Sequence, residues 1–148
     1  MPARYEHTQI GYLTIYTLGG CLAAQTVLMA VVGFHWVYLA ALVVLAGCLA
    51  LFATLNVQVD ETAVRLRFGP GLIGKTFWLG DVESCQVVRN KWYHGWGINL
   101  IPGGWLYNVS GLDAVELQMK TGKKNRIGTD DPAGLASAIQ QALERRPA

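Results

Sequence analysis

"VDETAVRLRFG" occupies residues 59–69, and the chain changes character inside it. From residue 7 to residue 59 there is no Asp, Glu, Lys or Arg. From Asp60 onward charges are frequent, and only Arg4 and Glu6 precede it. The hydrophobic period changes at the same point. Val64, Leu66 and Phe68 alternate with Arg65 and Arg67, the two-residue repeat of a strand with one buried face. The stretch therefore divides the 148 residues into an N-terminal tail with an apolar hairpin, residues 1–55, and a small β domain, residues 56–148.

The charge-free part contains two runs of membrane length. Residues 11–32 read "GYLTIYTLGGCLAAQTVLMAVV" and residues 36–55 read "WVYLAALVVLAGCLALFATL". About 20 apolar residues in a helix cover the roughly 30 Å hydrocarbon core. In the second run, six Leu, three Val and Phe52 each contribute about −0.3 to −0.6 kcal/mol to insertion, roughly −3 to −6 kcal/mol together. The first run is diluted by Gln25, three threonines and paired glycines. Small residues on both runs (Gly19, Gly20, Gly47 and neighbouring alanines) offer close-packing faces. No basic segment with a short apolar core and a small-residue cleavage site is present, so a removed signal peptide is not expected. The short link "GFHW" makes the spans antiparallel. Arg4, Arg65 and Arg67 flank them while the link carries no Lys or Arg, so the positive-inside rule expects both termini in the cytoplasm.

The remainder reads as short strands separated by turn residues. They are AVRLRF, KTFWL, VESCQVV, GINLI, WLYNV, AVELQMK and KNRIG, parted by sequences such as GPGLIG, PGG and TGK. "DDPAGLASAIQQALERR" then starts a helix, with Asp130 or Asp131 as its cap and Pro132 in its first turn. Leu135, Ile139, Ala142 and Leu143 share one face, so the helix lies on the strands, and Arg145 and Arg146 suit its C-terminal end. The expected fold class is α+β: a transmembrane hairpin, then a bent antiparallel barrel of about seven strands capped by a C-terminal helix.

Two spans followed by "VDETAVRLRFG", "LGDVES", "WGINLIPGGWLYNVSG" and "VELQMKTGKKNRIGTDDPAGLASAI" resemble the bacterial pleckstrin-homology-like family, in particular its two-span anchored members of unknown function. The resemblance covers most of the chain. It implies a seven-stranded bent barrel with a C-terminal helix at the inner membrane, and supplies no catalytic or ligand residues.

The residues themselves point away from catalysis. The acidic pairs, Asp60–Glu61 and Asp130–Asp131, sit in a turn and at a helix start. Ser84, Ser110 and Cys85 lack an evident base and orienting acid. Cys21, Cys48 and Cys85 have no metal or disulfide spacing. "GWG" and "PGG" match no phosphate-binding loop, and a net charge of +2 lacks the dense basic face of a nucleic-acid binder. The reading is thus a chain with no enzyme activity, no cofactor, no metal and no nucleic-acid partner. Its partners are the lipid bilayer, membrane or cytoplasmic proteins, or a second copy of itself.

Two sets of residues are candidates for function. Trp92, Tyr93, His94 and Trp96 lie in the loop "KWYHGWG" before the GINLI–WLYNV hairpin and form a candidate protein-docking surface. Arg89, Lys91, Lys123, Lys124 and Arg126 form a candidate set for anionic lipid headgroups, each adding about 1 kcal/mol if near the membrane surface. The leading expectation is a membrane-anchored cytoplasmic interaction module, an adaptor, scaffold or assembly factor. The alternative is a domain that binds anionic lipid or a small ligand at the membrane surface.

Overall fold

A computed structural model describes residues 5–145; Arg4 and Arg146, used in the sequence reading, lie outside them. The element order is β1 (Tyr5–Ile10), α1 (Tyr12–Val32), α2 (Trp36–Phe52), β2 (Thr54–Val59), β3 (Ala63–Phe68), β4 (Ile73–Trp78), β5 (Val82–Arg89), β6 (Gly97–Ile101), β7 (Gly104–Asn108), β8 (Asp113–Met119), β9 (Lys124–Gly128) and α3 (Pro132–Glu144). Sheet one has the order β1-β2-β3-β4 and sheet two the order β5-β8-β9-β7-β6.

The helices are inserted between two neighbouring strands. β1 pairs with β2 in antiparallel register from Tyr5 opposite Val59 to Ile10 opposite Thr54. The chain leaves the sheet at Ile10, runs out along α1, turns, and returns along α2 to the adjacent strand. Both feet of the hairpin are thereby fixed side by side. The Gly11 amide donates to the Ala53 carbonyl at 2.7 Å, and the Thr14 hydroxyl donates to the Val109 carbonyl at 2.7 Å. At the far end His35 caps α2, its Nδ1 accepting from the Val37 amide.

α1 is long and apolar enough to cross a membrane. α2 has 17 residues, because the apolar run expected to continue to residue 55 turns into β2 at Thr54. Leu55 is a core residue of the domain. The first turn of α1 is held against Val109, so the parts of α1 and α2 that project are of similar length, each about 25 Å at 1.5 Å per residue. Neither helix has a buried residue. Both are apolar around their whole circumference, as helices are that sit in lipid or inside a larger assembly. A Cβ added at Gly19, Gly20 or Gly47 would meet nothing within 4 Å, so these glycines do not form the helix–helix contact expected of them.

The β domain differs from the expected barrel in three ways. Among the described residues it has nine strands, including β1 and β2, which the period-2 reading missed. The sheets do not close into a barrel: β4 and β6 remain edges, as do β1 and β5. One pair, β7 with β9, is parallel. That pairing follows from the β5–β6 connection, which carries the chain from one edge of sheet two to the other. Gly104 permits it, since a Cβ there would lie 1.7 Å from the Lys124 carbonyl oxygen.

Val64, Leu66 and Phe68 of sheet one face Val115, Leu117 and Ile127 of sheet two in the core. α3 packs on β5, β8 and β2, so it bridges both sheets, and it buries Leu135, Ala136, Ile139 and Ala142. Asp131 is its cap, accepting from the Gly134 amide. Phe52 at the end of α2 meets Phe68 edge-on at 5.5 Å, joining hairpin and core.

Candidate functional site

The aromatic loop acquires a structural account. Residues 90–96 form a strap from β5 to β6, pinned at both ends to the β7–β8 turn. The Asn90 amide donates to the Leu112 carbonyl at 2.7 Å, and Trp96 Nε1 donates to the Gly111 carbonyl at 3.2 Å. The neighbouring Ser110 carbonyl accepts from Gln9 of β1, and the Val109 carbonyl from Thr14 of α1. The strap therefore lies at the end of the domain from which the helices emerge. Its centre is one 3₁₀ turn, Trp92–His94. There Trp92 is 73% exposed and Tyr93 59%, while His94 is half-buried with Nδ1 lacking a hydrogen-bond partner among the described residues. Lys91 Nζ sits 5.5 Å from the Tyr93 ring centre, within cation–π range.

Two other features share this end. The β3–β4 turn comes against the end of α2: Gly69 has a φ of 50°, and a Cβ on it would lie 2.3 Å from the Ala50 carbonyl oxygen. Leu72 of that turn projects into solvent. An apolar groove of about 490 Å³ runs between α1 and the strap, lined by Leu13, Leu18, Phe52, Trp96 and Ile98 among others. The hairpin foot thus carries Leu72, Trp92, Tyr93 and Trp96 beside helices that are themselves apolar.

The five candidate lipid-binding cations are dispersed. Arg89 and Lys91 flank the strap. Lys124 and Arg126 converge on the buried carboxylate of Glu116, Arg126 Nε at 2.7 Å and Lys124 Nζ at 3.7 Å. Gln86 adds a hydrogen bond to the same carboxylate, and Arg126 also reaches the Asn90 side chain at 3.2 Å. Burial opposes the charge on Glu116, but the bond from Arg126, then those from Gln86 and the two cations' fields, outweigh it and hold its pKa below the usual range. This cluster fastens the strap's first residue to sheet two. Lys123 stands at the opposite end of β8 from the hairpin foot, about 20 Å along a strand of that length.

Asp60 has a structural task in the β2–β3 turn. It accepts from the amides of Thr62 and Ala63 and from the Thr62 hydroxyl, and it pairs with Arg65. Burial works against its charge, but these bonds hold the pKa down at about 2. Cys85 donates to the Ala136 carbonyl, and burial raises its thiol's pKa. Among the described residues no group of three His, Cys, Asp or Glu is placed to hold a metal ion.

A second groove, about 610 Å³, opens between β4 and the inner face of sheet two. Its lining includes Lys75, Trp78, Trp105, Tyr107, Lys123 and Asn125. Trp105 is 45% exposed here, although Tyr107 on the same face of β7 is buried. Only Lys123 of this lining was singled out from the sequence as a ligand-binding candidate. A signal for Asn125 is present: it occupies the inward register position two residues before Ile127, in a row with Trp105 and Leu117.

No family model matches the chain, and no curated protein matches it.

Proposed function

We propose that this chain is a membrane-anchored interaction module of the bacterial pleckstrin-homology-like kind, without catalytic activity of its own. In this reading α1 and α2 both cross the inner membrane, both termini are cytoplasmic, and the β domain is held against the bilayer surface as an adaptor, scaffold or assembly factor. α2 reaches across with local thinning of the bilayer, which costs only fractions of a kcal/mol per Å of mismatch.

The observation that carries the docking reading is the strap. Its structural work is done by Asn90, Trp96 and main-chain bonds. The Trp92 and Tyr93 rings meet each other and their strap neighbours Lys91 and His94 and stay exposed at the hairpin foot, within reach of a membrane partner's surface. Large amphipathic rings in such a position are the usual anchors of protein interfaces. The test is purification of the chain in mild detergent from its own membrane, beside a Trp92→Ala/Tyr93→Ala variant. Loss of a stoichiometric co-purifying protein from the variant supports the reading. Recovery of the same proteins by both forms defeats it.

A further inference from the structure

The groove between β4 and sheet two has the donors of a ligand site and no structural task that uses them. Asn125 is 8% exposed, and its side-chain amide makes no hydrogen bond among the described residues. It stands in an otherwise apolar row, opposite Trp105 on one side and Leu117 on the other. Its amide atoms are not among those shut off from solvent without a partner, so they stand open at the groove to a polar group arriving there. Tyr107 is 7% exposed and lines the same groove. Its ring is fixed edge-on against Phe77 at 5.8 Å, and its hydroxyl has no protein partner among the described residues.

Two cations complete the set. Lys75 pairs in register with Leu66, whose side chain is in the core, so Lys75 is on the inner face of β4. Lys123 borders the groove from the β8–β9 turn. Neither lysine has an ion-pair partner among the described residues, in contrast with Lys124 and Arg126. Asp81 is the one carboxylate in the described lining, so cations exceed it by one. Trp78 and Trp105 add aromatic surface, both exposed. The volume lies in the range of small-molecule sites, about 300–1,000 Å³.

We propose that this groove binds a small soluble organic anion, a carboxylate or phosphate monoester on an apolar or aromatic body. The anionic oxygens take Lys75, Lys123, the Asn125 amide and the Tyr107 hydroxyl, and the body lies against Trp78 and Trp105. An inward-pointing lysine on an edge strand also discourages edge-to-edge pairing, but that role explains neither the unpartnered Asn125 nor Tyr107. The site stands apart from the docking reading, because none of its residues belongs to the strap or the hairpin.

The test uses the full chain in phosphatidylcholine nanodiscs and fluorine NMR of 4-fluorophenyl phosphate and 4-fluorobenzoate. At least one should broaden on the wild type, with inorganic phosphate competing for the phosphate ester, while neutral 4-fluorobenzyl alcohol does not. Lys75→Gln/Lys123→Gln should weaken binding at least about tenfold, the scale of losing charge-assisted bonds. Asn125→Leu should weaken it comparably while leaving the melting temperature unchanged or higher, since the amide has no structural partner. Equal binding by the variants or by the neutral alcohol overturns the proposal. So does loss of probe binding in nanodiscs made with phosphatidylglycerol, which would assign the groove to lipid. Binding of an acidic extended peptide in place of both probes would assign it to strand addition along β4 and likewise overturn it.

Discussion

Asp60→Ala isolates the turn that joins the first two strands after the helical hairpin. The carboxylate titrates at about 2 in the folded chain against an ordinary 3.8. At 1.36 kcal/mol per pH unit the difference amounts to about 2 kcal/mol of stability at neutral pH. A carboxylate with a depressed folded pKa stabilises fully above its unfolded pKa and loses that contribution as pH falls through the folded one. The contribution is therefore about 2 kcal/mol at pH 7, about 1 kcal/mol at pH 3 and a small fraction at pH 2. The pH-independent loss of the turn adds to it. Urea titration of full chains in detergent, followed by tryptophan fluorescence, is the assay. At pH 7 the variant's midpoint should fall by roughly 1 M, given about 1–3 kcal/mol per M urea. The gap between wild type and variant should narrow steadily from pH 5 to pH 2. A gap that stays constant over that range refutes the argument that Asp60's bonds outweigh its burial.

Three further outcomes are expected. Gly104→Val places a side chain on the Lys124 carbonyl and should abolish the β7–β9 pairing, seen as loss of detergent-extractable folded chain or of amide-exchange protection at residues 104–107 and 124–127. Arg126→Gln strips the main partner from buried Glu116 and should cost about 1–3 kcal/mol, because Gln86 and Lys124 still serve the carboxylate. Amide exchange in residues 90–96 should rise with it, because Arg126 also holds Asn90. Leu45→Lys places a charge mid-way along α2, at about 2.5–3.5 kcal/mol against insertion. The fraction resisting carbonate extraction should drop, while a Leu45→Ile control keeps it.

The parts that were legible in the sequence are those with strong periodicity or turn chemistry of their own. Ala63–Phe68, the PGG hairpin and the Asp131-capped helix appear where the alternation and the caps placed them. β1 was invisible because its inward positions are polar. Tyr5 bonds Asp131, His7 bonds Asp130 at 2.5 Å and Gln9 bonds the Ser110 carbonyl. It is a strand because β2 offers it an edge, and that edge lies some fifty residues further along the chain. β2 was hidden for the opposite reason. Its Leu55, Val57 and Val59 continue the apolar run of α2, so no break in hydrophobicity marks the change from helix to strand.

The candidate site was legible in composition but not in arrangement. The loop "KWYHGWG" stood out by its rings, yet its course as a strap depends on β5 and β6 being opposite edges of one sheet. No local pattern records that. The cations of residues 123–126 look like one basic cluster in sequence. Alternation along β9 separates Asn125 from its neighbours, and Glu116 on the adjacent strand takes Lys124 and Arg126. Lys75 is one charge in the strand KTFWL, and its sequence does not record that the strand lies at a sheet edge across from β7.

The central claim is that the hairpin crosses the bilayer with the β domain on the cytoplasmic side. It is tested most directly by two single cysteines in a chain with Cys21, Cys48 and Cys85 replaced by alanine. Phe34→Cys lies in the α1–α2 link and Thr121→Cys in the β8–β9 turn. In intact spheroplasts a membrane-impermeant maleimide should label Phe34→Cys and leave Thr121→Cys unlabelled until the membrane is broken. Labelling of Thr121→Cys in intact spheroplasts, or no labelling at Phe34→Cys together with release of the chain by carbonate, contradicts it.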